Sequence, residues 1–484
     1  MRQHSFNPKN SEADLLSIAV APNIFDVFQE ADQIASLCLA NLMSQSLWGL
    51  KEKIQNRLLI NSDSDSDDIP ASIRAIQKYI NKSFTHLHST EIAGIYGLLD
   101  LNEERKRFLP SAFAAMVSGL KTHFQSLPLT DEPLSAARNE ALGWLEKDRF
   151  PNYYYSNIDV IKAHRTRLGQ SKKSPYGVTS CLDETALFIA LSLVIPKPTE
   201  LRAMMVMSSI SHYGAFGYSE NGTQWWFNGK NQLFSKPDWD RRVEDFGGDR
   251  QACFDHLFSN FSRITTVSGS ADLHTGSSDI PEPYLKEYLH EMQAFFGVRL
   301  RQLESLDDPT YARDGEADHA SFLRDLIGLE SRDELFKRMH GRTEDWIQSA
   351  RYCFRSLEVD DFIPYLESAR RNPIAKEIGR TASSLDFLMA CVKEISGSTS
   401  IFNSSDQIAM PDETLRFNTG SHRDKGLLLH VLSEYFGNVQ GMSQPVETIF
   451  STEVTLVKII DEWINMNDFD VWTTPLPETV LFRI

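Results

Sequence analysis

The stretch YGVTSCLDETALFIALSLVIPKPTELRAMMVMSSISHYGAFGYSENGTQWWFNGKN, Tyr176 to Asn231, decides how the chain is read. It holds a cysteine ahead of a largely apolar run, Ala186 to Ile195, closed by Pro196 and Pro198, which cannot continue a helix. A helix is therefore predicted from about Thr179 to Leu193, with Cys181 near its start. A methionine-rich apolar run follows (Met204–Ile210), and two short segments then flank Asn221-Gly222. Asn-Gly is the strongest short hairpin signal, because both residues tolerate positive φ. His212 accordingly falls on or just before one strand, and Trp225-Trp226-Phe227-Asn228 on its partner. A helix followed by strands makes this an α+β segment.

The same order suits a thiol nucleophile. The thiolate is the reactive form, and a helix N-terminus beside an imidazolium favours it. Cys181 directly precedes LDETALFIALSL; His212 lies 31 residues later, and Asn228 a further 16. These intervals let the helix end, a strand return beside it and the hairpin close. His212 then acts as base, and Asn228 accepts the other imidazole N–H and fixes its tautomer. The Cys181 amide is one oxyanion donor, and the sequence assigns no second. Asp183 and Glu184 favour the helix N-terminus. Tyr176 and Trp226 are the candidate substrate contacts. Taken singly, each residue has a plainer reading: a buried cysteine, a satisfied histidine, a turn asparagine, packed tryptophans. Order and spacing together carry the catalytic one.

Ser180-Cys181-Leu182-Asp183-Glu184-Thr185, the leucine-rich helix after it, His212 with Tyr213-Gly214-Ala215-Phe216, and Trp226-Phe227-Asn228 resemble the transglutaminase-like superfamily, circularly permuted relatives of papain-type thiol enzymes. The resemblance covers residues 176–231 of 484. It departs from the family at two points. The family's Asp stands here as Asn228, as in papain-type Cys-His-Asn enzymes, and Phe216 sits where a Trp is common after the His. Asp238 and Asp240 are alternative third members that fit the spacing less well. The resemblance implies a transglutaminase-like (papain-like) core and acyl transfer through a Cys181 thioester, with no cofactor and no metal. The substrate would carry an amide or thioester, on a protein or as a carrier-bound acyl group, and an amine would accept the acyl group. A papain-like protease or amidase using water stays open, as does a catalytically inactive helical interaction protein.

On either side the pattern is helical. Apolar periodicity runs from Asn23 to about Ile60 and over Ala71–Phe84, Glu91–Leu99, Ala112–Phe124 and Leu134–Leu145, so residues 1–145 read as a helical region. Asp63-x-Asp65-x-Asp67 opens like a calcium loop but lacks Gly at position 68 and Glu at 74, and reads as an acidic linker. The catalytic core is expected over 146–267. Ser268–Pro283 is a linker by composition, and a second helical region follows over 282–400. There Leu285, Tyr288, Leu289, Met292 and Phe295 share one helix face. Further helices are expected near Ala317–Ile327, Thr343–Leu357 and Ser384–Ile395. His290-Glu291 does not open a zinc motif, since Ala294 replaces the second His. Asp314, Glu316, Asp318 and His319 read as a solvated turn, and no phosphate-binding loop occurs.

Composition narrows the class. Lys+Arg 49 against Asp+Glu 66 gives −17, which argues against nucleic acid as a general partner; Lys172-Lys173 reads as a solvated loop. Five scattered cysteines (Cys38, Cys181, Cys253, Cys353, Cys391) form neither a disulfide framework nor a zinc pattern. With no apolar signal core at the start and no apolar run long enough for a bilayer, a cytoplasmic protein without membrane contact is expected.

The last stretch, 401–484, is mixed, and part of it is similar to the central one. Ser421-His422-Arg423-Asp424-Lys425-Gly426 aligns without a gap on Ser180–Thr185, with His422 in the place of Cys181 and Leu428 opposite Leu187. Counting 31 from His422 gives Glu453, within a strand-like run, and Trp463-Ile464-Asn465 matches Trp226-Phe227-Asn228. A degenerate second copy without a nucleophile is one reading, and chance likeness of two helices is the other.

Overall fold

The run from Cys181 to Val194 is apolar on nearly every side, and such a helix is stable only when other elements cover it. That requirement organises the first half of the chain. The computed structural model of the protein describes residues 30–60, 69–86, 157–159, 177–179, 181–197, 200–208, 213–229, 232–258, 263–266, 269–272, 283–300, 326–370, 372–402, 404–441 and 446–484. Helices α1 (Glu30–Met43), α2 (Gln45–Ile60) and α3 (Ala71–Ser83) lead into strand β1 (Phe84–His86). Strand β2 (Gly177–Thr179) precedes the apolar helix α4 (Cys181–Val194), then β3 (Ala203–Ser208), β4 (Tyr213–Tyr218), β5 (Gln224–Phe227) and β6 (Leu233–Phe234). Next come α5 (Lys236–Asp245), α6 (Arg250–Phe258), β7 (Arg263–Thr266), β8 (Gly269–Asp272) and α7 (Pro283–Phe296). The second half holds α8 (Arg332–Met339), α9 (Asp345–Phe354), α10 (Ile363–Arg370), α11 (Pro373–Thr381), α12 (Leu385–Lys393), α13 (Pro411–Phe417) and α14 (His422–Gln440). It closes with β9 (Glu447–Ser451), β10 (Thr455–Ile459), β11 (Glu462–Asn465) and β12 (Val480–Arg483).

The protein is α+β, with two antiparallel sheets in the orders β6-β5-β4-β3-β7-β8 and β11-β10-β9-β12. β1 and β2 form a separate parallel pair. Side chains alternate across the first sheet, as the period of a strand requires. Ala215, Trp225 and Phe227 face α4, where the Phe188 and Phe227 rings stack at 4.2 Å. Phe216, Tyr218 and Trp226 face the other way, into a core built with α5, α6 and α7. Gly217 makes room for the Trp225 indole, since a Cβ there would lie 2.8 Å from the ring. Burying side chains such as Leu187, Phe188 and Leu191 stabilises the layer by roughly 1.5–3 kcal/mol each. The Asn221-Gly222 hairpin forms as expected, with Gly222 at φ +83° and β4 paired to β5 on either side.

Helices α1 to α3 and residues 326–354 close over α4 in one continuous core. The expected boundaries at 145 and 282 therefore do not coincide with the cores. Composition shifts mark changes of element type, whereas a core is defined by contacts between distant segments. The linker expected at Ser268–Pro283 contains a strand, β8, paired with β7. A third core joins α10 to α14 with the inner face of the second sheet. Several sequence features lie outside the described residues: the acidic run 61–68, the helices expected over 91–145, Lys172-Lys173, Tyr176, His212, and Asp314 to His319. No helix among the described residues is long and apolar enough to cross a membrane.

Candidate thiol site

Cys181 is the first residue of α4 and is partly exposed, whereas Cys38, Cys253, Cys353 and Cys391 are buried. Burial pushes the Cys38 and Cys353 thiols up to about 12 and raises Cys253 as well, which makes them poor nucleophiles. The thiol that sequence order selected is thus the one at the surface.

The elements that carry the rest of the segment follow α4 in the order β3, β4, β5. The eight residues 195–202 join the end of α4 to the start of β3, and α4 packs against β4. A fourteen-residue helix spans about 21 Å and a six-residue strand about 20 Å. β3 hands over to β4 at one end of the sheet. There Ser208 pairs with Tyr213, the residue after His212. β5 finishes at the same end, with Asn228 next in the chain. Asn228 is half-buried; its N–H donates to the Gln232 carbonyl at 2.8 Å and its Nδ2 to Gln232 Oε1 at 3.1 Å. Asp183 and Glu184 are buried in the first turn of α4, and Glu184 accepts a 2.8 Å hydrogen bond from the Thr179 hydroxyl.

Other residues singled out in the sequence find different uses. Trp226 is 1% exposed, packed among Phe234, Trp239, Phe258 and Phe296 on the sheet face away from α4. Its expected role as a substrate contact is corrected to core packing, because its neighbour Trp225 takes the α4 side. Asp238 closes a capping box with Ser235 at the start of α5. Although burial raises its pKa, the Ser235 bonds and nearby arginines hold the carboxyl below its usual range. Asp240 is paired with Lys236 at 2.5 Å and Arg250 at 2.6 Å. Neither aspartate is spare for an imidazole.

The C-terminal layer repeats this plan: a helix, α14, followed by three strands in the order β11-β10-β9. Four residues separate Ser208 from Tyr213, and four separate Phe450 from Thr455, the corresponding pair. Ala215 pairs with Phe227, and Val457, two residues into its strand likewise, with Ile464. Sheet register thus superposes Trp463-Ile464-Asn465 on Trp226-Phe227-Asn228. It also corrects one expectation: Glu453 lies in the turn before β10, and Val454 stands at the place of His212. Even the approach is shared, since a parallel bridge joins Gly397 to Thr419 just before α14, as Thr85 pairs with Val178 before α4.

The start of α14 is built to hold, not to react. His422 Nδ1 lies 2.8 Å from the hydroxyl of Thr455, and Thr455 is fully buried. Burial and Arg423 push the His422 imidazole down to about 4. Asp424, at the place of Asp183, accepts from the backbone N–H groups of Ser421 and Ala409 at 2.9 and 2.8 Å. Burial lifts its carboxyl to about 6 against those bonds. Asn465 serves its own turn, donating from Nδ2 to Asp468 at 3.1 Å.

The β1–β2 pair has no signature in the sequence. Three-residue strands carry no periodicity, and the two lie 90 residues apart. No family model matches the chain, and no curated protein or solved structure is similar to it.

Proposed function

We propose that the protein is a thiol acyltransferase on a transglutaminase-like core, with Cys181 as nucleophile, His212 as base and general acid, and Asn228 orienting the imidazole. The observation that carries this reading is the shared register of the two layers. In the second, the first helix residue, His422, touches the first residue of the middle strand at 2.8 Å. The same register in the first layer supports placing Cys181 beside the start of β4, next to His212. An imidazole N–H would be accepted by the Oδ1 end of the Asn228 amide.

In the proposed cycle the thiolate attacks an amide or thioester carbonyl, a C–S bond forms, and the carbonyl π pair moves to oxygen. Collapse expels the amine or thiol, which takes its proton from the His212 imidazolium, and leaves a Cys181 thioester. An acceptor amine, deprotonated by His212, then attacks the thioester and releases the thiol. The substrate is a protein amide or a carrier-bound acyl group. Five cysteines with no disulfide among them support a reducing, cytoplasmic setting. The C-terminal layer is a degenerate copy of the core that has lost its nucleophile.

Iodoacetamide near neutral pH tests the first step: Cys181 alkylates well faster than an unfolded-peptide thiol, and His212→Ala removes the excess. A Cys181 that reacts no faster than the peptide, together with a Cys181→Ala variant that keeps all activity, overturns the reading. Product analysis with and without added amine separates transfer from hydrolysis.

A further inference from the structure

Cys181 stands where a helix is least fixed. Helix ends fray, and Cys181 is the first residue of α4 and partly exposed. A displacement of about 1 Å at an attacking atom costs on the order of a hundredfold in rate, so a nucleophile at this position needs a tie across the first turn. One side-chain pair supplies it. Thr179 ends β2, two residues before Cys181, and Glu184 lies three residues after it. Both are fully buried, and the Thr179 hydroxyl donates to Glu184 Oε1 at 2.8 Å. The bond closes a loop over residues 179–184, with Cys181 inside it. The strand end of that loop is anchored in turn, since β2 pairs with β1 in the register Phe84↔Gly177 and Phe84 is buried in the core around α4.

The C-terminal layer, which has no thiol, lacks this pair. There the bridge Gly397↔Thr419 stands where Thr85↔Val178 stands, so Gly420 is at the place of Thr179. A Cβ at Gly420 would lie 2.8 Å from the Thr414 methyl, so a side chain there would collide. Lys425, at the place of Glu184, donates from Nζ to the Ile395 carbonyl at 3.1 Å. The start of α14 is held by the capping box of Ser421 and Asp424 instead.

Resting on the assignment of Cys181 as nucleophile, we propose that Thr179 and Glu184 are positioning residues of the thiol site: their hydrogen bond fixes the entry of β2 into α4, and with it the direction of the Cys181 side chain and amide. They act through the backbone of Cys181 and take no part in bond making. The role is carried by the bond rather than by the charge of the carboxyl, so an amide at position 184 that still accepts the hydroxyl preserves it.

Two reagents read the thiol differently. Alkylation by iodoacetamide displaces iodide in one step, forms no oxyanion and reports the thiolate. Acylation by p-nitrophenyl acetate forms the C–S bond, moves the carbonyl π pair to oxygen and then expels p-nitrophenolate; water later releases acetate. Thr179→Val, which keeps the shape and loses the donor, is expected to slow the p-nitrophenolate burst about tenfold to a hundredfold, and Glu184→Ala likewise. The alkylation rate and its pH profile stay as in the parent. Thr179→Ser keeps the donor and Glu184→Gln the acceptor, and both recover most of the loss. An unchanged burst in Thr179→Val overturns the proposal, as does a Thr179→Ser variant as slow as Thr179→Val. A parallel fall in both reactions also overturns it, since that marks misfolding or an effect on the thiolate itself. So does a Glu184→Gln variant with a displaced alkylation pH profile, which assigns the role to charge. A parent Cys181 inert to both reagents sinks the nucleophile assignment, and with it the role of the pair; a reactive Cys181 indifferent to the pair sinks only the latter.

Discussion

The two helix-and-meander layers share strand order, register and even the parallel bridge before the helix, yet they differ at the helix start. Cys181 begins α4 partly exposed, whereas His422 begins α14 bonded to the buried hydroxyl of Thr455. A second pair, His430 Nδ1 with the Thr448 hydroxyl at 2.9 Å, lies two turns further along α14. The matching positions in the first layer are Ile189 and Val206, both apolar. One layer thus fastens helix to sheet with two histidine–threonine pairs, and the other has apolar residues at the second of these places. The difference teaches that the backbone plan does not carry the chemistry; a few positions on it do.

The comparison breaks most sharply at the helix starts. Cys181→Ala is expected to lower acyl transfer by more than about a thousandfold, as loss of a covalent nucleophile does. His422→Ala should leave transfer within about twofold while lowering stability by roughly 1–3 kcal/mol, because it strands the Thr455 hydroxyl. Steady-state rates and urea unfolding on the two variants check this. Equal losses of activity would remove the asymmetry between the layers.

A second test concerns how closely each helix approaches its sheet. Gly426, at the place of Thr185, sits against Thr455, and a Cβ there would fall 2.3 Å from the Thr455 methyl. Alanine favours helix by about 1 kcal/mol over glycine. Gly426→Ala should nonetheless destabilise the protein by about 1–3 kcal/mol through overpacking. A stabilised variant would show that the second layer is not held at that spacing.

Much of this layering was legible in the sequence for a physical reason. The all-apolar α4, the Asn-Gly turn and the one-face pattern of α7 each bury their residues in a way that periodicity records locally. The cores were not legible, because Phe188 finds Phe227, and α1 finds α9, across intervals that no local pattern encodes. Trp225 and Trp226 illustrate the limit within the site. Alternation says that they face opposite ways, but only the helices on each side say that both faces are buried. Glu453 was misplaced by one position because the interval from helix to middle strand is a residue longer in the second layer.

The histidine pairs make a smaller, pH-dependent difference. Burial pushes both His422 and His430 down to about 4, so the folded layer holds them neutral. A depressed histidine contributes stability that is fully present above its unfolded value of 6.5 and is lost as pH falls towards 4. Asp424 works the other way. Its carboxyl, lifted to about 6 by burial, contributes most in acid and loses that contribution as pH rises through 6. Two imidazoles against one carboxyl leave a net loss on acidification. Hydrogen exchange at pH 6.5 and pH 4.5 should therefore show β9 and β10 opening in acid before β4 and β5. The double variant His422→Gln/His430→Gln should flatten that dependence, and an unchanged slope would assign the acid sensitivity elsewhere.

The smallest expected effect separates Asn228 from Asn465. Asn228 follows the third strand of its layer and Asn465 ends the matching one, and both donate from Nδ2, to Gln232 and Asp468 respectively. If Asn228 is only a turn residue, Asn→Asp at either position alters stability alone, by about 1–3 kcal/mol at the buried Asn465, where a carboxylate would face Asp468, and by less at Asn228. If Asn228 orients His212, only Asn228→Asp places a carboxylate against an imidazole. An opposite charge within a few ångström raises a histidine pKa, and the imidazolium in turn favours the thiolate. The pH profile of Cys181 alkylation in Asn228→Asp should therefore keep a reactive thiolate–imidazolium pair to a pH about one unit higher than in the parent, with no such change in Asn465→Asp. A profile that moves in neither variant would make Asn228 a turn residue like its counterpart.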